Sequence, residues 1–220
     1  MIEMNTEQAR FNMVEQQIRT WDVLDDHVLN TMQTTPREAF VPEQYQSLAF
    51  ADLEIPLGRG QVMMSPKVEG RMLQALQIKP DEHVLEVGTG SGFVTACLAK
   101  MSASVTSIEL FKEFAELSQQ HTRKLNLSNV EFIVADVFEY LHNLNKYDVI
   151  AVTGSSPHAL NQLATLLQPG GRMFSILGNR PVMTATLTTH ISADSYRHEK
   201  LFETSLASLI MPLGEKEFIF

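Results

Sequence analysis

The sequence predicts an α/β fold, a doubly wound, mostly parallel sheet with an N-terminal helical cap and a β-rich C-terminal tail. Three observations carry that expectation. From residue 81 onward, short apolar runs alternate with helix-like stretches, as in HVLEV (83–87), SVTSIE (104–109), EFIVA (131–135) and YDVIAV (147–152). Such runs are the pattern of strands buried on both faces, which parallel sheets require. A glycine-rich turn, VLEVGTGSGF (84–93), joins the first run to the following helix, and acids close the next two runs, Glu109 and Asp136. In open α/β sheets, ligands bind beyond the carboxyl ends of the strands.

The bulk numbers fit one globular unit. With 220 residues, 44% hydrophobic and 20% charged, the chain can bury a core without staples. One cysteine, Cys97, rules out an intramolecular disulfide and fits a reducing compartment. The net charge of −9 and the lack of any Lys/Arg run argue against a nucleic-acid partner. No basic, then apolar, leader opens the chain, and no apolar run approaches a membrane span, so a cytoplasmic protein without membrane contact is expected.

In chain order, Thr6 to Thr20 reads as a helix with Phe11, Val14 and Ile18 on its apolar face, and Asp25 to Gln33 as a second with Val28, Leu29 and Met32 inward. Pro36, Pro42, Pro56 and Pro66 break residues 34–66 into loops and turns. Lys67 to Gln77 reads as a helix burying Val68, Met72, Leu73 and Leu76. Between the strands, Phe93–Lys100, Phe111–Leu125 and His158–Leu167 are predicted helices. Pro169-Gly170-Gly171 is a turn feeding a strand over Arg172–Leu177, and the tail holds further strands at Val182–Ile191, Leu201–Leu209 and Glu217–Phe220. The division expected is a cap and loop region over 1–80 and a ligand-binding domain over 81–220.

The glycine loop narrows the ligand. Gly88, Gly90 and Gly92 let the backbone turn and approach a ligand closely. Dinucleotide enzymes use a similar loop but need a glycine three residues after the second, where Phe93 stands here. The spacing G-x-G-x-G, with Glu86 two residues ahead, instead resembles the first motif of class I methyltransferases, implying a Rossmann-like sheet and S-adenosyl-L-methionine as cofactor. Glu109 suits a pair of ribose hydroxyls, and Asp136 stands where such enzymes place an acid or amide near the adenine amino group. The expected cofactor residues are Glu86, Gly88, Thr89, Gly90, Ser91, Gly92, Glu109, Leu110, Asp136, Val137 and Thr153.

Beyond the glycine loop, PREAFVP (36–42), ADLEIPLGRGQ (51–61), YDVIAVTGSSP (147–157), LLQPGGRMFSILG (166–178) and SLIMPLG (208–214) succeed one another in order. Together they resemble the protein-L-isoaspartate O-methyltransferase family over most of the chain. The resemblance implies methyl transfer to the free α-carboxylate of isoaspartyl residues in proteins or peptides, the first step of their repair. A carboxylate is already nucleophilic at neutral pH, so the protein's task is alignment and exclusion of water.

One loop departs from the family. Its Gly-Gln-Thr-Ile-Ser-x-Pro segment reads Gly60-Gln-Val-Met-Met-Ser-Pro66 here. Aligned on Gln61 and Pro66, Met64 stands at the serine and Val62 at the threonine, with Ser65 one place late. A thioether donates no hydrogen bond. Three readings stay open: Ser65 takes over through a loop shift, the acceptor differs, or the chain binds cofactor with little turnover. Gln61, Met64 and Ser65 are the candidate loop residues. Met63 and Met64 also suit packing under a lid.

Other groups carry less. None of the seven histidines pairs with Cys97 or an acid at ligand spacing, so no metal is expected. His158 reads as a surface residue near a helix start and Cys97 as core. Thr153 to Ser156 are expected in the loop after the fourth strand, and Trp21 as a packing residue between the N-terminal helices and the sheet.

Overall fold

The computed structural model describes residues 6–192 and 195–210. The expected strand at 217–220 and the end of SLIMPLG lie outside them. Seven strands form the main sheet in the order β5-β4-β3-β6-β7-β8-β9. They are β3 (His83–Val87), β4 (Ser104–Glu109), β5 (Val130–Val134), β6 (Tyr147–Ser156), β7 (Leu167–Leu177), β8 (Met183–Ser192) and β9 (Ser195–Thr204). Pairing is parallel from β5 through β7 and antiparallel from β7 to β9. The order reverses beside β3, with β4 on one side and β6 on the other, and this is the switch point where a crevice opens.

The sheet is mostly parallel because its strands are apolar on both faces. Along β3, Val84 joins a core beneath the N-terminal segments, while Leu85 and Val87 join a second core on the opposite face. In β6, Val149 and Ala151 divide from Ile150 and Val152 in the same way, following the two-residue period of a strand. Helices α4 (Phe93–Met101) and α5 (Lys112–Lys124) make the outward crossovers. The first core also takes in Met13, Ile18, Met32, Met72 and Leu76, so the N-terminal segments and α4 bury one shared face.

Several elements differ from expectation. The helix from Thr6 is α1 (Thr6–Asn12), continued by a π turn (Met13–Ile18) and a 3-10 turn (Arg19–Trp21). The extra residue of the π turn rotates the helical face, so Met13, Val14 and Ile18 are buried while Phe11 is 49% exposed. Helices α2 (Asp26–Thr34), capped by the Asp25 side chain, and α3 (Pro66–Leu76) fall where the periodicity places them. The loop-rich stretch contains a small hairpin, β1 (Ile55–Gly58) with β2 (Gln61–Met63).

After β5, a short α6 (Val137–Tyr140) precedes β6, and the long helix expected over 158–167 is only α7 (Asn161–Ala164). Residues 153–156 are not a loop but the end of β6, because Ser155 pairs with the late segment through Ser155 N–Ala207 O (2.9 Å) and Leu209 N–Ser155 O (2.8 Å). The Pro169-Gly170-Gly171 turn interrupts β7 rather than preceding it, since the β6 partner shifts from Leu167 to Arg172 between Tyr147 and Val149. The strand expected at 201–209 is instead β9, beginning at Ser195 and ending at Thr204. Trp21 does not fill the interface with the sheet; it is 44% exposed, with the Lys67 ammonium 4.3 Å from its ring centroid. Among the described residues no helix is long and apolar enough to cross a membrane, and no cluster of His, Cys, Asp and Glu suits a metal ion.

Candidate active site

The crevice at the switch point is built from strand ends. Gly88, at φ +94°, leaves β3 so close to β6 that a Cβ there would sit 2.6 Å from Thr153 Oγ1. Gly90, at φ +53°, turns the loop back toward Leu57 of β1. Thr153 Oγ1 donates within this packing to the carbonyls of Val87 and Gly88. Glu109 ends β4 facing the loop, its Oε2 accepting from Gly90 N at 2.9 Å and its Oε1 from Phe111 N at 3.0 Å. Asp136 comes after β5 and caps α6, with Oδ1 accepting from Phe138 N at 2.8 Å.

These groups open on one cavity. Gly88, Gly90, Glu109, Leu110, Asp136, Val137 and Thr153 of the expected residues line it, with Gln61 and Val62 from the β2 loop. Ile108, Phe111, Phe114 and Phe138 give it an apolar slot beside the two carboxylates. A second, smaller pocket shares Val62, Gly88, Gly90 and Thr153 with the first and extends past Thr89 and Ser91 to Met63, Met64, Glu69 and Val94.

Three expected residues line neither cavity. Glu86 is sealed beneath the loop: its Oε2 accepts from Thr95 Oγ1 and Ser107 Oγ, each at 2.6 Å, and its Oε1 is buried with no partner among the described residues. Position explains this, since Glu86 stands one residue before the end of β3 and points under α4, on the side of its neighbour Ser107. Burial pushes its carboxyl up to about 8, against those two hydroxyls, with repulsion from Glu109 adding to the rise. Gly92 packs against Ser118 of α5. Ser65 is buried at the start of α3, where its carbonyl accepts from Val68 N at 3.0 Å. The loop has therefore not shifted to bring Ser65 to the cavity.

Sequence reasoning missed one pair. Arg37 and Glu69 form a fully buried ion pair between a 3-10 turn (Arg37–Phe40) and α3. Arg37 also donates from Nε to Ala49 O at 2.9 Å and from Nη2 to Met64 O at 2.7 Å. Its guanidinium lies 4.9 Å from the Phe93 ring centroid. Burial pushes the Glu69 carboxyl up to about 7, with Arg37 pulling it back. The signal was present: Glu69 precedes Met72, Leu73 and Leu76 at helical spacing, so an acid sits on the buried stripe of α3.

The chain as a whole resembles proteins of known kind. A family model described as protein-L-isoaspartate(D-aspartate) O-methyltransferase matches residues 8–207. A protein-L-isoaspartate O-methyltransferase of Koribacter versatilis is 36% identical over 201 residues, 91% of this chain and 90% of that one. One from Aeropyrum pernix is 34% identical over 214 residues, 96% of this chain and 82% of its own. In structure, a Plasmodium falciparum protein described as such an enzyme, in complex with S-adenosyl-L-homocysteine, superposes with a TM-score of 0.76 at 21% identity, covering 91% of this chain and 97% of that one. At that identity the superposition speaks for the fold, while the sequence matches speak for descent, and the chain belongs to the protein-L-isoaspartate(D-aspartate) O-methyltransferase family, whose members are S-adenosylmethionine-dependent enzymes.

Proposed function

We propose that this protein transfers the methyl group of S-adenosylmethionine to the α-carboxylate of isoaspartyl residues in proteins or peptides. The observation that carries the reading is the paired wall of the main cavity. Glu109 and Asp136 face it from two strand ends, beside an apolar slot between Ile108, Phe111 and Phe138. That donor set fits a nucleoside: carboxylates accept from hydroxyl and amino groups, and a flat base packs between apolar side chains. Positive φ at Gly88 and Gly90 keeps side chains out of the approach.

In this reading Glu109 orients the ribose, Asp136 stands at the base, and the backbone at Gly88 and Gly90 borders the sulfonium. When bound, the cofactor would supply an electrophilic methyl carbon to the acceptor carboxylate, with a neutral thioether as the leaving group. The acceptor arrives already ionised, so the chain provides alignment, and the apolar side chains of Leu57, Val62 and Leu209 in the cavity's lining exclude water. Residues 1–80 act as cap and acceptor loop over a cofactor unit formed by 81–220.

A second reading is favoured by Val62 and Met64, which line the pockets with apolar atoms where the family carries hydroxyls. It holds that the acceptor differs or that turnover is low. Transfer of labelled methyl to an isoaspartyl peptide, against the same peptide with ordinary aspartate, decides between them. Label dependent on the isoaspartyl residue supports the first reading. Tight cofactor binding without such label sinks it in favour of the second.

A further inference from the structure

The smaller pocket holds one ionisable side chain. Of its lining residues, Val62, Met63, Met64, Gly88, Thr89, Gly90, Ser91, Val94 and Thr153 have no ionisable group, and Glu69 has one. Glu69 reaches that wall from the buried stripe of α3, almost without exposure to solvent. Arg37 engages one of its oxygens, Oε2, and no hydrogen bond is made to the other among the described residues. Because the pocket shares Val62, Gly88, Gly90 and Thr153 with the main cavity, a ligand seated by Glu109 and Asp136 can extend past the glycine loop and end at Glu69.

We propose that Glu69 receives the α-ammonium group at the amino-acid end of the cofactor. This rests on the reading of the main cavity as the S-adenosylmethionine site. The acid ahead of the glycine loop, Glu86, is committed to Thr95 and Ser107 beneath it and faces neither cavity. Glu69 is then the carboxylate of the smaller pocket, which the glycine loop also lines, while Glu109 meets that loop in the main cavity. Arg37 serves as a positioning residue: by holding Glu69 Oε2 and the Met64 carbonyl together, it fixes the distance between that carboxylate and the acceptor loop. For the ligand's own carboxylate, Ser91 and the first turn of α4, which also line the pocket, offer a hydroxyl and the positive end of a helix.

Ionisation gives the assignment a signature. The charged and titratable groups around Glu69 are Arg37, from the 3-10 turn, and Cys97, from α4, a thiol that burial pushes up to about 12 and that stays neutral. Empty, Glu69 takes up a proton near pH 7 because burial disfavours its charge. An arriving ammonium favours the ionised form, so binding expels that proton and affinity falls as the medium becomes more acidic.

The test compares S-adenosylhomocysteine with methylthioadenosine, which has the same nucleoside and no amino-acid end, by calorimetry. Glu69→Gln is expected to weaken S-adenosylhomocysteine by roughly 10- to 100-fold, the range for a hydrogen bond to a charged partner, and to leave methylthioadenosine unchanged. In wild type, affinity for S-adenosylhomocysteine should drop up to about tenfold per unit as pH falls below about 7, with methylthioadenosine flat. The wild-type profile decides even if the variant fails to fold. Equal losses for the two ligands, or none for either together with a flat wild-type profile, overturn the assignment of Glu69. If wild type binds neither ligand, it is the cofactor reading of the main cavity that fails, and the assignment falls with it.

Discussion

Glu86→Gln offers a direct reading of how the glycine loop is held. In the folded protein the Glu86 carboxyl is raised from an ordinary value of 4.5 to about 8, because burial disfavours its charge more than Thr95 and Ser107 favour it. In the unfolded chain it ionises normally. Below about pH 4.5 both states are protonated and the residue costs nothing. As pH rises, the unfolded state loses its proton first, so the folded state is progressively disfavoured until it too ionises near pH 8, and the loss then levels off. Between about pH 5 and pH 8 this removes roughly 3–4 kcal/mol of stability. Glutamine keeps an acceptor for the two hydroxyls and has no proton to lose. Urea unfolding of both proteins across that range isolates the residue, since the other titrating groups are common to them. The stability of the variant relative to wild type should climb by that amount from pH 5 to pH 8, whatever constant offset the amide brings. A pH-independent difference would refute the argument and mean that Glu86 is charged in the fold.

The same geometry sets the outcome of further substitutions. Glu109→Ala should weaken S-adenosylhomocysteine by about 1.5–3 kcal/mol, measured by calorimetry, while Glu86→Gln leaves that affinity nearly unchanged because Glu86 lines neither cavity. Gly90→Val puts a branched side chain at φ +53°, beside Leu57, and should abolish cofactor binding at a strain cost of about 1–2 kcal/mol; circular dichroism and thermal melting separate the two effects. Met64→Ser with Val62→Thr should raise isoaspartyl methylation by roughly 10- to 160-fold if a hydroxyl contact acts only in the transition state. Because Met64 is packed in the core, the double variant should also lose about 2–5 kcal/mol of stability, whereas Ser65→Ala should leave turnover unaltered.

The central sheet is legible in the sequence because β3, β4 and β6 are buried on both faces, so their apolar runs are continuous and local. Features outside local pattern are not. Helical periodicity puts Phe11 inward, and the π turn at Met13–Ile18 is a register change that composition does not mark. The loop expected over 153–156 gives way to strand because Ser155 finds partners some fifty positions later, at Leu206, Ala207 and Leu209. Strand β9 starts earlier than its apolar residues suggest, since Arg197 to Lys200 in its first half are polar and solvent-facing, as edge strands commonly are. At the site, the spacing of glycines and acids picks out residues that the fold brings to one crevice, with Glu109, Asp136 and Thr153 lining it. Spacing alone misjudges Glu86, whose side of the strand is fixed by register with Ser107, and it passes over Arg37 and Glu69, which meet only through tertiary packing.

Arg37 ties three stretches of chain that are distant in sequence: the carbonyl of Ala49, the carbonyl of Met64 and the carboxylate of Glu69. Two of those three attachments are to main chain, and so are indifferent to the side chains carried there. The wall of the smaller pocket can therefore exchange Met64 for another residue while the backbone bearing it stays pinned. A substitution at Met64 changes what the pocket touches without moving where the pocket is. The same fastening makes Arg37 itself a poor place for such exchange, because its loss would release all three segments at once.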